Sequence, residues 1–135
     1  MKKISILLLL VLVCSCSKSD DSGNSGSTSI NPPAWIHGIW IQENSTVGNG
    51  YIFTNKDFLL KGSGWGNTSF ASSVELTNAS GGNASVHETI TSNSYNIDID
   101  LGVQIHIYHF NKISTTKIEW MNGPTSSDHY YFIKQ

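Results

Sequence analysis

Tyr95-Asn96-Ile97-Asp98-Ile99-Asp100-Leu101, then Gly102, then Val103-Gln104-Ile105-His106-Ile107-Tyr108, is the stretch that decides the fold. Tyr95, Ile97, Ile99 and Leu101 alternate with Asn96, Asp98 and Asp100, the cleanest period of two in the chain. Beyond the Gly102 turn, Val103, Ile105 and Ile107 share one face and Gln104, His106 and Tyr108 the other. Such alternation is the mark of strands with one side buried and one side wet. The aliphatic side of each is the side expected to face the core.

Working outward, turn residues recur at short intervals: Gly48-Asn49-Gly50, Asn55-Lys56, Gly62 to Asn67, Gly81-Gly82-Asn83, Asn93, Asn111-Lys112 and Asn122-Gly123-Pro124. Between them the pattern predicts strands at about 36–43, 50–54, 57–62, 68–77, 84–91, 94–101, 103–111, 115–121 and 128–134. Phe70, Val74 and Leu76 place the 68–77 segment among them, and no window after Val13 predicts a helix. Short sequential connections predict an all-β fold, a single antiparallel up-and-down barrel of about 8–9 strands whose closure removes exposed edges. A β-sandwich is the alternative.

Composition agrees. Ser, Thr, Asn and Gly fill 54 of 135 positions and charged residues only 13%, which excludes a helical bundle rich in Ala, Glu, Lys and Leu. All eight basic residues are Lys, and the formal net charge is −2. Without Arg or a cationic cluster there is nothing to hold phosphate, so nucleic acid is excluded as a partner.

The N-terminus predicts location. Met1-Lys2-Lys3 precedes an apolar run from Ile4 to Val13, too short for a spanning helix, which needs about 20 residues. Val13-Cys14-Ser15-Cys16 then resembles the lipobox of bacterial lipoprotein signals, with Ser15 as the small residue and Val13 as the aliphatic one. The resemblance implies that Cys16 takes a diacylglyceryl thioether, that cleavage follows Ser15, and that the new amino group is acylated. Two or three acyl chains suffice for stable anchoring in a bilayer. Removing Lys2 and Lys3 leaves six Lys against ten acids, a mature charge near −4.

Three regions follow: a signal peptide over 1–15, lipidated Cys16 with a flexible tether over 16–33, and a β domain over 34–135. The Ser/Gly/Asn-rich run from Ser17 to Pro33 contains one aliphatic residue and is expected to stay extended. Ser17-Lys18-Ser19-Asp20-Asp21 resembles the export signal of Gram-negative surface lipoproteins, a Lys followed by two acids. The expected location is therefore the outer membrane, lipid-anchored, facing either the cell surface or the periplasm.

Gly38-Ile39-Trp40 is similar to the Gly-x-Trp signature that opens the first strand of lipocalins and their barrel relatives. The resemblance covers about Trp35 to Gln135 and implies that Trp40 closes one barrel end. In that family a basic side chain of the last strand, commonly Arg, backs the Trp, and this chain has no Arg. The domain looks most like the compact lipocalin-like domains of bacterial lipoproteins.

Candidate chemistry is sparse. Asp98 and Asp100 lie about 6.7 Å apart along a strand, near a glycosidase spacing, yet on its wet face. His106 and His109 fall on opposite faces and cannot chelate together. His37, His87 and His129 add no zinc-like spacing. No nucleophile elbow or phosphate loop is present, so the expectation is no enzyme, no cofactor and no metal. Gly62-Ser63-Gly64-Trp65-Gly66 places a Trp in a loop, as a plug or as a stacking platform. Trp40, Trp65, Trp120 and Tyr130 are the candidate contacts. The expected function is a membrane-anchored monomer binding a small apolar or amphipathic ligand in its barrel. The alternative is a surface module recognising a glycan or protein partner, an inhibitor of an attacking hydrolase among them.

Overall fold

The computed structural model describes residues 27–62, 64, 66–125 and 129–135; the lipobox with Cys16, and Trp65, lie outside the described residues. Nine strands form one antiparallel sheet: β1 Gly38–Gln42, β2 Gly50–Phe53, β3 Phe58–Lys61, β4 Asn67–Ser69, β5 Ser85–Ile90, β6 Ser94–Asp100, β7 Ile105–Lys112, β8 Lys117–Trp120 and β9 Tyr130–Lys134. Their order is β4-β3-β2-β1-β9-β8-β7-β6-β5. The meander therefore joins its own ends through β1 and β9, with Trp40 opposite Lys134. It stays open between β4 and β5, a half-barrel rather than a closed one and not a sandwich.

The segment expected as a strand over 68–77 is a correction. Only Asn67–Ser69 pairs with β3; Phe70–Ala79 is a helix, α1. Ser69 caps it, its hydroxyl accepting the Ser72 N–H at 3.0 Å. Asp57, from the β2–β3 turn, accepts the Ser69 hydroxyl at 2.6 Å and the Ala71 N–H at 3.0 Å. Phe70 and Val74, four residues apart, form the buried stripe. Leu76, which the strand reading turned inward with them, is 68% exposed. At the other end Ser80 N–H reaches Leu76 O, and Gly81 takes a φ of +82°.

The inner face is built from rings. Tyr51 and Phe53 of β2 meet Phe110 of β7 at centroid distances of 5.2 and 5.3 Å. Phe58 of β3 meets Tyr108 at 4.8 Å, and Phe70 of α1 meets His106 at 5.1 Å. Rings from opposite strands thus touch across the concavity, which side chains fill. Gly50 is required by this curvature: a Cβ there would stand 1.9 Å from the Trp40 carbonyl oxygen.

A second correction concerns β7. Tyr108 and Phe110 are buried, and the aliphatic set expected in the core points out: Val103 is 99%, Ile105 60% and Ile107 45% exposed. The rings opposite Tyr95 and Ile97 of β6 occupy the inner positions instead.

The tether expectation also changes at its end. Ile30 is 2% exposed and belongs to the core. Val86 N–H donates to Ser27 O, Asn31 N–H donates to both Glu88 carboxylate oxygens at 2.9 and 3.0 Å, and Trp35 Nε1 donates to Thr91 O. The strap of residues 27–36 therefore covers the β5 edge, an arrangement that keeps an unpaired strand from recruiting another chain.

Candidate functional site

The named candidates fall in different places. Trp40 is fully buried, its Nε1 donating to Ile36 O at 2.6 Å in the short 3-10 turn Ala34–Ile36 that caps the barrel end. Lys134 Nζ stands over its ring at 5.3 Å, so the last strand supplies a cation although the chain has no Arg. Gly38, at φ +128°, makes the turn into β1 and leaves room for that lysine: a Cβ would meet Lys134 Cε at 2.8 Å.

Trp120 and Tyr130 are brought together, rings 5.7 Å apart and half-buried. They are held locally. Asn122 Oδ1 accepts Trp120 Nε1 at 2.8 Å and the His109 N–H at 2.7 Å, while Asn122 Nδ2 donates to Ile107 O. One amide thereby extends the ladder beyond the end of β8. Tyr130 OH lies 3.0 Å from Thr125 Oγ1.

Three buried phenols line the interior. Burial pushes the pKa values of the Tyr51, Tyr95 and Tyr108 phenols up, and for Tyr95 the hydrogen bond to Glu88 Oε1 at 2.6 Å adds to that effect. They are structural groups, each held neutral by its surroundings. On the outside of β8 and β9, Glu119 accepts His129 Nδ1 at 2.5 Å. Next to them Lys117 pairs with Glu43 at 2.9 Å and stands 4.2 Å over the Tyr131 ring. Among the described residues no nucleophile joins the Glu119–His129 pair, and no group of three His, Cys, Asp or Glu is placed to hold a metal ion.

Two surface features remain. One is a cleft of about 790 Å³ between the strap and α1, with Ile30, Ala71 and Val74 below and Ser29, Lys56 and Glu75 at its rim. The other is the outer face of β5, β6 and β7. Register places Asp100 between Ser85 and Ile105, Asp98 between His87 and Ile107, and Asn96 between Thr89 and His109. Val103, 99% exposed, sits in the β6–β7 turn at the head of the column, and half-exposed Met121, just past β8, flanks it, its N–H donating to His109 O. Among the described residues, three of nine large exposed apolar side chains thus lie along the β6–β7 hairpin, with Met121 beside them.

Sequence reasoning missed this face because it turned the Ile column inward. The signal that would have found it is the size of Tyr108 and Phe110, which lie on the opposite phase and fill more core than Ile105 and Ile107. The chain matches no protein-family model, no curated protein and no solved structure.

Proposed function

We propose that this chain is a lipid-anchored interaction module of a bacterial outer membrane that docks a protein partner on the outer face of β6 and β7. The observation that carries the reading is the exposed column Val103, Ile105 and Ile107 beside a concave face already filled with rings. Ile105 and Ile107 alternate on the solvent side of β7, and Val103 in the turn before it is 99% exposed. Contiguous exposed apolar patches of this kind mark interaction sites. The anchoring half rests on the lipobox resemblance at Cys16, with the residues up to the strap as a spacer.

A photo-crosslinking residue at Ile105, in the full-length chain within the cells that produce it, tests docking. A discrete adduct from Ile105 and none from Leu76, equally exposed on α1, supports the reading. No adduct, or equal adducts from both positions, overturns it. Anchoring has its own measurement: Cys16→Ala should move the protein from the membrane to the soluble fraction.

A second reading has its own observation. The strap–α1 cleft falls within the 300–1,000 Å³ typical of small-molecule sites, at about 790 Å³. Its apolar floor and polar rim suit an amphipathic molecule, and this is where a small ligand has room. Native mass spectrometry should then show a bound mass that Val74→Trp removes; an unliganded mass in every preparation rejects it.

A further inference from the structure

We infer that the partner of the β6–β7 face is a basic protein surface, one that sets lysine or arginine beside aliphatic side chains. This rests on the docking reading above. Each exposed isoleucine of the column has a carboxylate as its direct cross-strand neighbour: Ile105 beside Asp100, Ile107 beside Asp98. Cross-strand neighbours on one face lie about 5 Å apart, and the two carboxylates repeat about 6.7 Å along the strand. A partner that buries the isoleucines must therefore come within contact of both acids.

Among the described residues the acids have no lysine partner. Among the described residues the five lysines lie elsewhere: Lys61 bonds Gly48 O, Lys112 and Lys134 stand over Trp35 and Trp40, Lys117 pairs with Glu43, and Lys56 is at the cleft rim. Asp100 Oδ1 accepts the Gly102 N–H, and Asp98 Oδ1 lies 3.8 Å from His109 Nε2. A neutral or acidic partner would have to desolvate both carboxylates with only the Gly102 N–H and the His109 ring beside them. A basic one replaces their water with charge, and long-range attraction speeds the encounter. The repeat of the two acids equals that of alternate residues on a strand, so a cationic strand face matches both at once.

The test uses a short β-hairpin peptide with lysine and valine alternating on one face, and a twin in which glutamate replaces lysine. Amide NMR of the whole chain should show the lysine hairpin shifting residues 96–109, with the glutamate twin inert. Asp98→Asn with Asp100→Asn should weaken binding about fivefold, two exposed charges each contributing modestly, and added salt should do the same. Their melting temperatures should match that of the parent chain. Equal binding of both hairpins, binding indifferent to the two asparagines, or no shifts in this face overturns the inference. Crosslinking from Ile105 in the double-asparagine background separates the two claims. An adduct that persists undiminished leaves the docking reading standing and removes the basic partner. An adduct lost there but present in the parent supports both.

Discussion

β6 and β7 are neighbours in the same hairpin, both alternate apolar with polar residues, and they use the pattern in opposite ways. In β6 the aliphatic column Ile97 and Ile99 is buried and Asp98 faces water. In β7 the aliphatic column Ile105 and Ile107 faces water, while His106, Tyr108 and Phe110 point inward. Alternation establishes that a segment is a strand; which face turns inward is decided by what must be filled. Opposite β7 stand Tyr51, Phe58 and Phe70, and only the phase carrying rings spans that gap.

The largest effect should come from removing a ring on the inner phase of β7. Phe110→Ala deletes a fully buried side chain touching Tyr51, Phe53 and Phe58. A loss of about 3–5 kcal/mol in urea unfolding is expected, the usual range for a buried Phe. Ile107→Ala, three positions away on the outer phase, should stay within about 0.5 kcal/mol of the parent. Comparable losses at the two positions would erase the distinction between the faces.

High pH attacks the same inner face. Below pH 10 the tyrosines are protonated in both folded and unfolded chains, so they leave stability flat. Above it the unfolded chain releases phenolic protons that buried Tyr51, Tyr95 and Tyr108 keep, and stability falls as pH rises. Three such groups give a slope approaching about 4 kcal/mol per pH unit. Tyr51→Phe should reduce that slope by about a third, measured as urea midpoints across the alkaline range; an unchanged slope would mean the Tyr51 phenol ionises in the folded chain.

How much was legible divides along the same line. Eight of the nine expected strand segments pair as strands with bounds within about two residues, because turn residues and alternation are local signals. The ninth shows where local reading fails. Phe70, Val74 and Leu76 satisfy a period of two, and Phe70 with Val74 also satisfies a helix. The decision came from Ser69 as a cap and from Asp57, which folding brings to the helix start. The strap failed for the same reason: Ile30 is one aliphatic residue in a polar run, and its burial depends on Glu88 and Val86, more than fifty residues away. Among the site candidates, Trp40 was expected as a ligand or partner contact and is instead a fully buried core side chain. Lys134 was not legible, since only β1–β9 pairing sets it over that ring.

The strap itself contrasts with a free tether, and Ile30→Ala measures the difference. Loss of a core aliphatic residue should cost about 2–4 kcal/mol, and a value near zero would return residues 27–33 to the spacer. Lys134→Met tests a smaller contact at the opposite end of the strap. It keeps most of the stem that packs near Gly38 and removes the charge over Trp40. The expected loss is about 1 kcal/mol, within the range for a partly desolvated cation–π pair.

The smallest effect on stability bears most directly on function. Ile105→Thr with Ile107→Thr retains β-branching and strand propensity on a face that already lies in water, so the fold loses little. A melting temperature within a degree or two of the parent is expected, since surface substitutions stay within about 0.5 kcal/mol. The same pair should abolish the adduct that a crosslinker at Val103 forms with the partner, because the apolar contact supplies most of the affinity and the carboxylates add a smaller, salt-sensitive share. Stability that falls with the adduct would place the column in the fold's own packing. Stability held and the adduct lost would separate the two faces of β7 by role: rings inward for the core, isoleucines outward for the partner.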